Sequence, residues 1–148
     1  MATAVPVLTS VEVSEHLRDD PSNNHLLDGV EFDPAFINLS IKLAISEFNS
    51  MPPMGSVDIY TFPSKAILMS GTLYKMFAAQ SALLARNHMN YSDGGLQIPV
   101  EERFQLYQAL AELYRQDFAN SARALKTQMN LEDGWGGVKS DYSAMPTW

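Results

Sequence analysis

The sequence predicts an all-α fold, a small helical bundle of three to four helices with an extended C-terminal arm and room for one short strand. Three observations carry this reading. Apolar residues recur at helical spacing through several long stretches. Those stretches begin and end at capping and breaking residues. One run alone, Val57 to Phe62, is β-prone, compatible with an extended connector or one edge strand, and no other segment offers it an obvious strand partner.

The first element is short. Thr9 and Glu12 have capping-box spacing ahead of Val13 and Leu17, and the helix they start fails by Asp19-Asp20-Pro21. Residues 20–29 then read as a polar loop, with Asp19-Asp20 as a solvated turn. Asp33 can cap the second helix and Pro34 can take its first position, where a missing N–H costs nothing. Ile37, Ile41, Ala44, Ile45 and Phe48 follow helical spacing, and Phe36, Leu39 and Leu43 widen the stripe, so more than one side needs cover. Asn49-Ser50-Met51-Pro52-Pro53 ends this helix, because consecutive prolines cannot continue it.

A third helix is expected from Ser64 to about His88. Ile67, Ser70, Tyr74, Phe77, Ser81 and Leu84 trace one face, and Met69, Leu73, Met76 and Leu83 a second, which predicts a central position. Gly71 inside it predicts a close helix approach. Asn87 to Gly95 carries turn chemistry. The last helix is the clearest. Val100, Phe104, Tyr107, Ala111, Tyr114, Phe118, Ala122, Leu125 and Met129 recur in steps of four and three, with Leu106, Leu110 and Leu113 as a flank. Asn130 is the expected C-cap, and Asp133-Gly134-Trp135-Gly136-Gly137 is not expected to sustain a helix. The chain thus divides into an acidic N-terminal segment with a short helix (1–32), a bundle (33–129) and an arm (130–148).

Composition narrows the function classes. The chain has 148 residues, 46% of them hydrophobic, which suits a single soluble domain. It contains no cysteine, which removes disulfide frameworks, thiolate metal sites and cysteine nucleophiles. The opening MATAVPVLTS lacks the basic and apolar regions of a secretory signal. Ile59 to Leu84, the most apolar stretch, is broken by Pro63, Lys65, Lys75 and Gln80, so no membrane span is expected. The formal charge of -7 is uneven: eight acids and two bases in residues 1–50, six and seven in 51–129, three and one after that. Phosphate binding draws on clustered Lys and Arg, so tight nucleic-acid binding is not expected.

No catalytic, cofactor or metal site stands out. His16, His25 and His88 lie in different elements without a second histidine at ligand spacing. Glu101-Glu102 falls in the first turn of the last helix, where negative charge favours the dipole. Ser92-Asp93-Gly94-Gly95 has no accompanying Walker lysine, and neither GxGxxG nor GxSxG occurs. The sequence therefore reads as a non-enzyme. Its most informative oddity is the arm, which combines three glycines and Pro146 with Trp135, Tyr142 and Trp148. Aromatics of this kind anchor protein interfaces, so these three residues are the candidate partner-binding set.

The order of short motifs carries a resemblance. Phe48-Asn49-Ser50-Met51-Pro52-Pro53 after an amphipathic helix, Phe62-Pro63 before an apolar one, Ala85-Arg86-Asn87 leading into Tyr91-Ser92-Asp93-Gly94-Gly95, and Gly134-Trp135-Gly136-Gly137 near the end resemble virion structural proteins of tailed bacteriophages. Most of all the chain resembles the helical head-to-tail connector, or adaptor, proteins of the neck, over about residues 33 to 142. The resemblance implies a homo-oligomeric ring, typically twelvefold, beneath the portal protein, with the arm gripping the portal and tail or neck proteins below. It also implies a location in the virion neck after assembly in the host cytoplasm, and DNA that passes without specific binding. A tail or baseplate component, or a non-viral helical interaction module, is the alternative.

Overall fold

A computed structural model describes residues 5–24, 29–86, 92–93, 96–97 and 100–135, and these residues form the all-α bundle that the sequence predicts. Four helices follow one another among them: α1 (Ser10–Leu17), α2 (Pro34–Ser50), α3 (Lys65–Arg86) and α4 (Val100–Trp135).

Local chemistry sets most boundaries. The Thr9 side chain accepts from the Glu12 N–H at 3.3 Å, and the Glu12 carboxylate accepts from the Thr9 N–H at 2.9 Å, completing a capping box. Arg18 closes α1 in the left-handed conformation, φ 53°, so that its N–H reaches back into the helix. Pro34 opens α2 at its first position and Asp33 precedes it, though its side chain makes no capping bond. The helix stops at Ser50, before Pro52 and Pro53.

α3 is the centre of the bundle, packed against α2 on one side and α4 on the other. Gly71 is the closest approach. A Cβ built there would stand 2.7 Å from the Phe118 ring and 3.0 Å from the Ala44 methyl. The missing side chain lets three helices converge at one level, which offsets the helix propensity lost to glycine. Around this point Ile37, Ile41, Ala44 and Phe48 of α2, Leu68, Leu73, Met76 and Phe77 of α3, and Ala111, Phe118 and Ala122 of α4 form one buried core. Phe32 packs edge-on against Phe77, and Phe48 lies 4.7 Å from Phe62 between ring centres.

Two sequence expectations are corrected, at the end of α4 and at Asp19. The β-prone run Val57 to Phe62, open to either a connector or an edge strand, is a connector between α2 and α3 and forms no strand. Its backbone groups are taken by side chains instead: Asn49 donates to the Val57 carbonyl at 2.8 Å and accepts from its N–H at 3.0 Å, and Asp58 accepts from the N–H groups of Tyr60 and Thr61 at 2.9 Å each. Such side-chain bonds compete directly with a ladder. The β pairing among the described residues joins two-residue strands β1 (Ser92–Asp93) and β2 (Leu96–Gln97), antiparallel with Ser92 opposite Gln97.

The first correction concerns the end of α4. Asn130 is not its cap; the helix runs on to Trp135, with Gly134 inside it. A glycine near a helix end costs only about 1 kcal/mol relative to alanine, and the Gln128 amide donates to Glu132 one turn on, at 2.8 Å. Residues 130–135, expected in the arm, are thus helical.

The second concerns Asp19, which is buried rather than solvated. Its carboxylate accepts from the N–H groups of Glu31 and Phe32 at 2.7 and 2.8 Å and from the Asn24 amide at 2.6 Å. It holds the chain entering α2. Asp20 does occupy an exposed turn, accepting from the Ser22 N–H at 2.8 Å.

Candidate protein-interaction surface

α4 spans 36 residues, about 54 Å at roughly 1.5 Å per residue, against 17 for α2 and 22 for α3. Its N-terminal part is fixed by Tyr107, half-buried between Phe77 and Glu31, whose hydroxyl donates to the Glu31 carboxylate. Burial first, and then that carboxylate, push the phenol well above its ordinary value.

The far attachment is Lys126. Only 3% of this residue is exposed, and its ammonium donates to the carbonyls of Met51 and Pro53 at 3.0 and 2.6 Å. Desolvation holds its pKa below the ordinary lysine range. The lysine clamps the proline-rich turn after α2 onto the side of α4.

Beyond Lys126 the helix leaves its neighbours. Thr127, Gln128, Asn130, Leu131 and Glu132 are exposed and Met129 is half-buried. From Lys126 to Trp135 this projection is about 13 Å long. Of the three aromatics singled out in the sequence, Trp135 is its last residue, and Tyr142 and Trp148 lie outside the described residues.

The leucine flank of α4 is split, with Leu110 partly buried against the core. Ala111, Phe118 and Ala122 are buried, whereas Leu106 and Leu113 are each 61% exposed and Leu131 is 53% exposed. A smaller pair, Leu39 and Leu43, is half-exposed on α2. The signal was present in the seven-residue spacing of Leu106 and Leu113, which keeps them together on a side that the intramolecular stripe does not use.

The acids of the N-terminal third are largely engaged within the chain. Glu12 pairs with Lys65, Glu47 with Lys75, and Glu31 with Tyr107, while Asp19 and Asp20 hold turns. Glu15 and Asp33 are exposed. Much of the uneven charge thus has a local structural use.

His16 sits in the last turn of α1, and His25 and His88 lie outside the described residues. Among the described residues no cluster of three His, Asp or Glu side chains could hold a metal ion, and no helix is long and apolar enough to cross a membrane. Comparison with protein-family models, with curated proteins and with solved structures finds no match.

Proposed function

We propose that this chain is a structural virion protein of a tailed bacteriophage, forming a ring that joins the portal to the tail and surrounds the DNA passage. The observation that carries the reading is a small helical bundle whose longest helix projects past its last attachment at Lys126 and leads into a segment containing Trp135, Tyr142 and Trp148. The order of motifs that resembles neck adaptors supports it. Its work is mechanical, with no catalysis and no cofactor. The bundle supplies a rigid body, and the segment after α4 supplies aromatic anchors for the portal. Repetition around a ring multiplies weak contacts into a durable joint.

A chain with ten basic residues scattered among acids suits a conduit through which DNA slides. Light scattering of the purified chain with and without portal protein tests the proposal. A portal-bound ring is expected, and a chain that ignores the portal would overturn it. Deleting residues 136–148 leaves α4 whole, so loss of portal binding with retained helicity would place the grip in that segment.

The alternative, a tail component or a non-viral helical interaction module, is favoured by the exposed leucines of α4, which would suit a helical partner equally well.

A further inference from the structure

The face of α4 opposite the bundle carries an uncharged stripe. Leu113, Asn120, Ala124, Thr127 and Leu131 are all exposed, and at about 100° per residue they fall within an arc of about 60°. Leu113 stands about 200° around the helix from buried Ala111, so the stripe faces away from α3. Leu110 and Asp117 are not part of it, since the first packs on the core and the second accepts from Ser70 of α3. The residues that follow α4, Gly136 to Trp148, lie outside the described residues, and their sequence has a two-residue period. Val138, Tyr142, Ala144, Pro146 and Trp148 share one parity and Lys139, Asp141, Ser143 and Thr147 the other, with Ser140 and Met145 as the exceptions. Alternation of this kind gives an extended segment one apolar side and one charged side.

We propose that in the free chain residues 138–148 fold back along α4 as an extended segment whose apolar side covers this stripe. Three features select the chain's own segment as the occupant. Gly136-Gly137 stands where the chain must reverse, and glycine admits the left-handed conformations of a tight turn. The reach fits the stripe. At about 3.3 Å per extended residue, Val138 comes level with Leu131, Tyr142 with Ala124 about 17 Å back along the helix, and Trp148 with Leu113 about 33 Å back. The largest gap in the stripe, at Ala124, thus meets a tyrosine, and both charged side chains of the segment point to water. Finally, the tether is short, so the segment meets α4 at an effective concentration on the order of millimolar, which a free partner or a second copy in dilute solution does not reach. Leu106 separates this occupant from any other. It lies about 44 Å back from Trp135, past the end of the chain, whereas a separate helix would use it as readily as Leu113.

The packing concerns the free chain and goes beyond the connector reading, which concerns the segment once portal is present. Trp148 is its natural probe, because Trp135→Phe leaves it the only tryptophan of the full chain. In that background Trp148 emission should be blue-shifted, and acrylamide quenching about twofold weaker, relative to a synthetic peptide of residues 136–148. Adding Leu113→Glu should raise quenching to the level of the peptide, with circular dichroism unchanged because Leu113 is on the surface. Adding Leu106→Glu instead should leave quenching as it was, and so should dilution of the protein by about tenfold. Quenching equal to that of the peptide before any glutamate is added, no response to Leu113→Glu, an equal response to Leu106→Glu, or protection lost on dilution, as for a second copy, would each overturn the proposal. A protected Trp148 in a chain that ignores portal would overturn the connector reading alone.

Discussion

The Lys126 ammonium lies 4.6 Å from the centre of the Phe48 ring while it donates to the carbonyls of Met51 and Pro53. One buried cation thus seals the end of the core, satisfies two turn carbonyls and fixes the point where α4 leaves the bundle. Its charge is compensated by carbonyl dipoles and the ring face.

Replacing that cation tests the clamp. Lys126→Met keeps most of the volume but strands the carbonyls, and should lower stability by about 1–3 kcal/mol in urea titrations. The desolvation penalty recovered on removing the charge keeps the loss at that modest level. The depressed pKa has a defined sign. The unfolded lysine holds its proton more tightly than the folded one, so this group's unfavourable contribution shrinks as pH rises through the folded value and is gone above about 10.5. The stability difference between wild type and Lys126→Met should accordingly change on the alkaline side and stay flat below it.

Gly71→Ala is expected to destabilise despite improving helix propensity. The new methyl meets Phe118 at 2.7 Å and Ala44 at 3.0 Å, and overpacking of this kind costs about 1–3 kcal/mol. The propensity gain of roughly 0.5–1 kcal/mol does not cover it. Pairing Gly71→Ala with Phe118→Leu should recover part of the loss, measured as the midpoint of chemical unfolding.

Asp19→Ala removes the acceptor for two backbone N–H groups at the entry to α2, one of them on buried Phe32. A loss of about 1–3 kcal/mol is expected, with Asp19→Asn in between because its amide keeps one oxygen. Thermal melts followed by circular dichroism would show it.

Glu12 gives a prediction in acid. Its hydrogen bond with Lys65, and then the Thr9 N–H, hold the carboxyl below its ordinary value of 4.5. The stabilisation is present above that value and is lost as pH falls through the lower folded one. Glu12→Gln keeps a capping side chain without the charge, so the difference in melting temperature between wild type and variant should close as pH drops below about 4.5.

What was legible in the sequence is what depends on near neighbours. The capping box of α1 spans three residues, Pro34 marks its own position, and the α4 stripe repeats within single turns. The core residues Ile37, Ile41, Ala44, Phe48, Phe118 and Ala122 follow from the same spacing. What was not legible depends on distant partners. Asp19 finds its backbone donors 12 and 13 residues away, and Lys126 finds its carbonyls 75 and 73 residues away. No local pattern announces either. The candidate surface was half legible: Leu106, Leu110 and Leu113 were visible as a flank, but only packing shows that Leu110 turns toward the core while Leu106 and Leu113 are left to solvent.

The central place of α3 bears on how quickly the bundle assembles. Its main partners, α2 and α4, are its immediate neighbours along the chain, so the core closes largely between consecutive helices, the topology that favours fast folding. The exceptions are the long-range ties: Val7 donating to the Ile59 carbonyl at 2.8 Å, Glu12 on Lys65, and Lys126 on the turn after α2. Each of these closes a loop of about fifty residues or more, so its closure entropy is larger than that of the contacts between neighbouring helices.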